Sequence, residues 1–505
     1  MENKEISISD SLKEKLSKHN QSQLLSFLPF IESNELKQQY LNQIEKADLD
    51  LMTNLFSLYK QDNKENKYDS HNIQFIDSQF PKGSIENEKE IKQKGFEDIA
   101  EGKVALLILA GGLGTRLGYQ KAKGMYNIEM PSNKSLFEYL CNRFLASQLL
   151  AKERIKDKEY KESTLFIMTS QHNHKDMTSF FEEHNYFNLK KDNVVFFPQN
   201  EICGLDLNGQ VINVLPNELY QAPDGKGGCF TAIKQHNIIK ICKERNIEYI
   251  NVTSIDNPLY KVLDPLFVGL VKAKGKCGKD QMGAKYVKKV DPNEKVGNFL
   301  VYKNHPMMLD YMEVPAELRE MKKDNGDLVY NACNILDYLI SVSFLDKVLN
   351  DESKFKELIM QFHILKKKFN ICYYDEKENK IIYEKDANGL KFEIFFNSIF
   401  EFAEKEGLLL LEIDRNKEFT PVKNKEGEAT NTPSITRKKM SNLFKNLYQQ
   451  VGGSLLNDSE DKLLEFSFLI NFEDETEETF FKKYPKIPKS IDMSKYEKGI
   501  YYEER

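Results

Sequence analysis

The chain has no tryptophan, and only seven cysteines and eight histidines among 505 residues. The cysteines stand singly. None lies in a Cys-x-x-Cys pair or at zinc spacing from a histidine, so neither a disulfide framework nor a structural zinc site is indicated. His172 and His174 form a His-x-His pair with no third ligand close by in the sequence. No stretch approaches the roughly 18 apolar residues that a membrane-spanning helix needs. The opening MENKEISISD has no basic segment followed by an apolar run, so no secretory signal is expected. An excess of one charge is also missing. Lys and Arg number 72 against 78 Asp and Glu, a net charge of -6 that exerts no general pull on nucleic acid. Internal repeats and single-residue tracts are absent. These absences leave a reduced, cytoplasmic, globular protein of roughly two to four domains.

What is present falls into three regions. Residues 1–60 carry apolar positions at helical spacing, among them Leu24, Phe27, Leu41 and Ile44, and predict a helical region. Lys60 to Asn72 reads as a connection. From Val104 the pattern changes to short, continuous apolar runs: Val104 to Ala110, Leu165 to Met168, Val194 to Phe197, Tyr249 to Val252 and Gly283 to Val287. Such runs fit strands buried on both faces of a mainly parallel sheet. Helical patterns lie between some of them, including Cys229 to Cys242 and the stretch opened by Ser135, where Glu138 stands at capping-box spacing. The fold class expected is α/β, with domain boundaries at 1–60, 61–424 and 425–505. The last region is a small module with one strand in Leu463 to Phe472. Ligands of such sheets sit at the carboxyl ends of the strands.

The first run ends in LAGGLGTRLG, Leu109 to Gly118. Consecutive glycines let backbone approach a ligand closely, and their amides can converge on phosphate oxygens. The P-loop spacing is not met, because no Gly-Lys-Ser/Thr follows. The dinucleotide fingerprint is not met either, because the glycine spacing is one residue too long. Arg116 and Lys123 add two cations just beyond the glycines, suited to a triphosphate whose leaving group gathers charge.

The longer segment LAGGLGTRLGYQKAKGMYNIEMPSNKSLFE resembles the signature of the eukaryotic UDP-N-acetylhexosamine pyrophosphorylases, also called UDP-N-acetylglucosamine pyrophosphorylases. The likeness continues in order through VVFFPQNEIC, QAPDGKGGCFTAI, Ser254-Ile255-Asp256-Asn257, NEKVGNFLVYKNHPMMLDYMEV, Tyr330 to Ile335, NGLKFEIFFNSIFEFA and Phe419 to Asn424. It implies a Rossmann-like nucleotidyltransferase core and attack of a sugar 1-phosphate on the α-phosphorus of UTP.

The roles that follow are those the resemblance implies. Arg116, Lys123 and Lys423 would handle phosphate charge. Leu109, Gly111, Gly112, Gly114, Thr115, Gln199, Gly225, Lys226 and Asp256 would hold the nucleotide, with Gln199 and the Gly225 loop near the uracil. Asp256 would also carry Mg2+ or Mn2+, a role that suits a carboxylate at a strand's end beside phosphates. Gly297, Asp310, Tyr311, Asn331, Phe395 and Asn397 would surround the sugar. Lys226, Asp310, Cys333 and Asn397 depart from the residues usual at those positions, and Cys333 puts a side chain where the family has glycine. The implied partners are UTP, N-acetylglucosamine 1-phosphate or its galactosamine counterpart, the UDP-sugar and diphosphate. Nucleic acid and membrane are not expected, and the chain is expected to be a monomer or weak homodimer. Two other readings are a UDP-glucose or broad UDP-sugar pyrophosphorylase and a nucleotide-binding protein without catalysis.

Overall fold

The computed structural model describes residues 8–61, 68–76, 80, 84–156, 159–274, 281–311, 313–404, 407–473 and 475–503. Residues 62–67 of the expected connection lie outside that set. The chain divides into two compact units. The first comprises Met1–Glu65, Gln199–Ala232 and Lys356–Ser398, and the second Asn66–Pro198, Ile233–Phe355 and Ile399–Arg505.

The second unit is built on a ten-stranded sheet. Its strands are β1 (Ile73–Phe75), β2 (Val104–Leu109), β3 (Leu165–Ser170), β4 (Val194–Gln199), β5 (Tyr249–Ser254), β6 (Met282–Lys288), β7 (Asn298–Tyr302), β8 (His305–Leu309), β9 (Ala332–Ser341) and β10 (Leu408–Glu412). The order is β1-β7-β9-β5-β2-β3-β4, with β6 paired to β9 and β10, and β8 to β7. At its centre β5, β2 and β3 run parallel, with Tyr249 opposite Val104 and Leu106 opposite Leu165. Towards β9 the pairing turns antiparallel. Every residue of β2, β3 and β5 is buried, as expected of strands covered on both faces. The helix Leu136–Arg154 is capped by Ser135, whose Oγ accepts the Glu138 N–H at 3.2 Å.

The first unit has its own core. Leu16, Leu24, Tyr40, Ile44 and Leu55 from the N-terminal helices pack with Leu205, Leu219, Leu390 and Phe392. The last two belong to a long antiparallel hairpin, Phe362–Asp375 with Lys380–Ile394.

These units cut across the boundaries read from the sequence. The N-terminal helices share a core with segments nearly 200 and 370 residues further on. Residues 425–505 are no separate body, because Met440, Phe444, Tyr448 and Phe466 belong to one cluster with Phe144 and Phe267. A buried carboxylate reinforces that join. Glu465, 1% exposed, accepts from Ser132 N at 2.8 Å, Ser132 Oγ at 2.6 Å and Tyr139 Oη at 2.8 Å. The segment 424–433, rich in Gly, Thr, Asn and charge, is a largely exposed loop and not a domain boundary. No helix among the described residues is long and apolar enough to cross a membrane.

Candidate active site

In the second unit, the carboxyl ends of β2 and β5 bring together what the sequence holds far apart. β2 ends at Leu109, whose carbonyl accepts from Ile255 N at 3.4 Å just past β5. The glycine loop then folds back on itself. Gly114 N donates to Lys121 O at 3.1 Å, and Lys123 N donates to Gly112 O at 3.2 Å. Asn173 Nδ2 holds Gly111 O at 3.1 Å. Gly112, Thr115 and Arg116 are exposed on this loop, while Gly111 and Gly114 are buried.

The glycines are there for different reasons. A Cβ on Gly114 would lie 2.9 Å from Tyr119 Cβ, so packing demands glycine. A Cβ on Gly112 would meet no described atom within 4 Å, and its backbone is not left-handed. Neither strain nor packing accounts for glycine at 112. Open space above backbone amides is what a phosphate needs.

Lys123 opens a 3-10 turn, Lys123–Met125, and turns its amine towards Asp256, with Nζ 3.8 Å from Oδ2. Asp256 follows β5 and is 8% exposed. Lys423 arrives on a segment stitched to the same turn. Val422 N donates to Asp256 O at 2.8 Å. Asn257 Nδ2 donates to Glu418 O at 2.7 Å, and Asn257 Oδ1 accepts from Thr420 N at 3.0 Å and Leu259 N at 3.2 Å. Lys425 N reaches Arg116 O at 3.1 Å. The structure thus gathers Arg116, Lys123, Asp256 and Lys423 into one region of one unit. Lys123 is ion-paired with Asp256, and the backbones that carry Arg116 and Lys423 are bonded into the same turn. Such a set suits a polyphosphate that brings its own hard cation, because a divalent ion held by one carboxylate takes its other oxygens from phosphate and water. Among the described residues no group of three or more His, Cys, Asp or Glu could hold a metal. His174 instead bonds Thr169 Oγ1 through Nδ1 at 2.8 Å.

A buried network lies behind this turn. Lys285, on β6 and wholly buried, lies 2.9 Å from Asp264 Oδ2, donates to Glu418 Oε2 at 2.8 Å and to Lys261 O at 3.3 Å, and lies 3.6 Å from Asp337 Oδ2. Burial opposes the charge on Lys285, but Asp264, Glu418 and Asp337 outweigh it and raise the amine above its ordinary range. Sequence reasoning missed Lys285. A lone lysine in a strand reads as a solvent-facing residue, and only a register shift in the β6–β9 pairing between Ala284 and Tyr286 marks the spot.

Four of the sugar candidates share one edge of the second unit. Asn298 pairs with Leu309 and with Cys333, which places Gly297 beside Asp310 and Asn334. Gly297 O accepts from Asn334 N at 2.8 Å, and Asn331 O accepts from Lys289 N at 2.7 Å. Asp310 N donates to Glu313 Oε2 at 3.0 Å, and Tyr311 is partly buried. Cys333 is fully buried and packs in the main core.

The remaining candidates lie in the first unit. Gln199 Nε2 donates to Asp224 Oδ1 and to Gly225 O, both at 2.9 Å. Gly225 has φ +90°, and a Cβ there would lie 2.5 Å from Ile394 O. The Lys226 side chain is exposed. The Phe395 ring stacks on His363, with centroids 3.7 Å apart and an interplanar angle of 17°. Asn397 is partly buried. Asp224, not singled out from the sequence, is 6% exposed, and burial pushes its carboxyl up to about 7.

Known proteins resemble this chain over most of its length. Residues 49–497 match the model of the family described as UTP–glucose-1-phosphate uridylyltransferase. UDP-N-acetylglucosamine pyrophosphorylase of Saccharomyces cerevisiae is 35% identical over 356 residues, covering 70% of this chain and 72% of that protein. A probable UDP-N-acetylglucosamine pyrophosphorylase of Dictyostelium discoideum is 32% identical over 89% of this chain and 91% of its own. The crystal structure of a protein from Entamoeba histolytica, described as a UDP-N-acetylglucosamine pyrophosphorylase, superposes with a TM-score of 0.72 at 30% identity. It covers 83% of this chain and 98% of that one. The chain therefore belongs to the UTP–glucose-1-phosphate uridylyltransferase family.

Proposed function

We propose that this chain is a UDP-N-acetylglucosamine pyrophosphorylase, converting UTP and N-acetylglucosamine 1-phosphate to UDP-N-acetylglucosamine and diphosphate. The observation that carries the reading is the gathering of Arg116, Lys123, Asp256 and Lys423 at the ends of β2 and β5, beside an open glycine loop. The curated relatives named for this activity supply the sugar.

A phosphate monoester is largely dianionic at neutral pH, with a second pKa of about 6, so its oxygen attacks without a general base. A new bond forms between that oxygen and the α-phosphorus. The bond from the α-phosphorus to the bridging oxygen breaks, and its electron pair leaves with diphosphate. Catalysis then rests on positioning and charge cancellation. Lys123 and Lys423 bring two anions together, and Arg116 favours the departing diphosphate. Asp256 would hold Mg2+ or Mn2+, which when bound supplies further neutralisation of phosphate charge. The loops at Gln199 and Gly225 receive the uracil, and Gly297, Asp310, Tyr311 and Asn331 serve the sugar. The six described cysteines are all free and buried, which suits a reducing compartment such as the cytoplasm. The working form is a monomer or weak homodimer, measurable by light scattering on a sizing column.

Diphosphate release is measured with UTP and each of N-acetylglucosamine, N-acetylgalactosamine and glucose 1-phosphates. Preference for N-acetylglucosamine 1-phosphate is the expected result. Equal or better use of glucose 1-phosphate would refute the sugar assignment, and nucleotide binding with no turnover on any of the three would refute catalysis.

A further inference from the structure

The mechanism above makes no use of Asp224, although burying a carboxylate is costly. The group is rigidly held. Its backbone N donates to Asn200 O at 3.3 Å, and its backbone O accepts from Ile394 N at 2.7 Å. A Cβ on Gly228 would lie 1.7 Å from Asp224 Oδ1, so the carboxylate is packed directly beneath that glycine. Burial is the main influence on its proton, with Glu201 acting in the same direction and the Gln199 hydrogen bond opposing it.

Gln199 is the partner that gives the carboxylate meaning. A glutamine amide can present either its oxygen or its NH2 group. At Gln199 the Nε2 hydrogens face Asp224 Oδ1 and Gly225 O, each at 2.9 Å. Turning the amide over would set Oε1 against two oxygens. What the side chain then has left to offer a ligand is an acceptor.

We propose that Asp224 is a positioning residue for nucleobase selection, holding the Gln199 amide so that Oε1 accepts from the N3–H of uracil. Cytosine carries an unprotonated acceptor at N3 and would meet Oε1 acceptor to acceptor. The inference rests on the reading that Gln199 meets the base. Asp224 touches no substrate atom and acts only through Gln199. An amide at 224 would offer hydrogens as well as an oxygen and so release the constraint.

The test compares, at pH 8 where the Asp224 carboxyl is ionised, kcat and KM for UTP and CTP in the wild type, Asp224→Asn and Gln199→Leu. Asp224→Asn is expected to raise KM for UTP about tenfold and to narrow the preference for UTP over CTP, in kcat/KM, by at least about tenfold. Its kcat with UTP should stay within about threefold. A purely structural role predicts a lower Tm and equal losses with both nucleotides. An unchanged UTP:CTP ratio in Asp224→Asn, with discrimination lost in Gln199→Leu, overturns the role of Asp224. Full discrimination retained in Gln199→Leu overturns the placement of Gln199 at the base. Asp224→Ala, which only removes atoms, gives the same readout should the asparagine variant not fold.

Discussion

Gly112 and Gly114 are two residues apart, and the same methyl group should affect them in opposite ways. At Gly112 it enters open space, whereas at Gly114 it strikes Tyr119. Gly112→Ala is therefore expected to melt within about a degree of the wild type and to raise KM for UTP by about tenfold or more, because the methyl occupies phosphate space. Gly114→Ala should lose about 1–3 kcal/mol of stability as Tyr119 is pushed aside. Thermal melts and initial rates on the pair check this, and a fully active Gly112→Ala would contradict it.

Asp224 gives a second residue-scale prediction, in pH. Burial holds its carboxyl at about 7 against an ordinary value of 3.8. Between those values the folded chain keeps a proton that the unfolded chain has released. Its contribution to stability is therefore greatest below pH 4 and declines as the pH rises to about 7, by on the order of 4 kcal/mol in total. Asp337, which burial raises to about 6, acts in the same direction. Urea midpoints of wild type and Asp224→Asn at pH 6 and pH 8 check it. The variant should gain on the wild type as the pH rises, and a constant difference would contradict the assignment.

At the scale of elements, Asn257 decides how the segment carrying Lys423 is set. One side chain satisfies Glu418 O, Thr420 N and Leu259 N. Asn257→Ala leaves three backbone groups without that partner. We expect a loss of about 2–4 kcal/mol and a drop in kcat of about tenfold or more from the displaced lysine. Unaltered kcat at a temperature where the variant is folded would show that Lys423 is set by other contacts. The elements themselves were largely legible, because apolar runs with no polar break announce strands covered on both faces, as in Val104–Leu109 and Tyr249–Ser254. The hairpin Phe362–Asp375/Lys380–Ile394 was not. Lys366, Lys367 and Lys368 break any apolar run, and much of the hairpin faces solvent, where pairing selects no hydrophobic pattern. The same limit hid Lys285 and Asp224, whose meaning comes from partners more than 20 residues away in sequence, Glu418 and Gln199.

For the whole molecule, the two units have interleaved chain segments, and a cut near residue 424 falls inside the last segment of the second unit. Truncation after residue 424 removes Met440, Phe444, Tyr448 and Phe466 from a core they share with Phe144. It also strips Glu465 from Ser132 and Tyr139. The 1–424 fragment is expected to aggregate or to lack a cooperative melt, as judged by sizing chromatography and calorimetry. A monodisperse fragment with one sharp transition would mean that the boundary near 424 is a domain boundary after all.

The interleaving also bears on how the chain is made. Leu16 and Leu24 leave the ribosome early, yet Leu390 and Phe392, which complete their core, are synthesised more than 360 residues later. At roughly 5–20 residues per second, the N-terminal helices wait for roughly 20–75 s with apolar faces uncovered. That interval makes the nascent N-terminal helices natural clients of ribosome-associated chaperones.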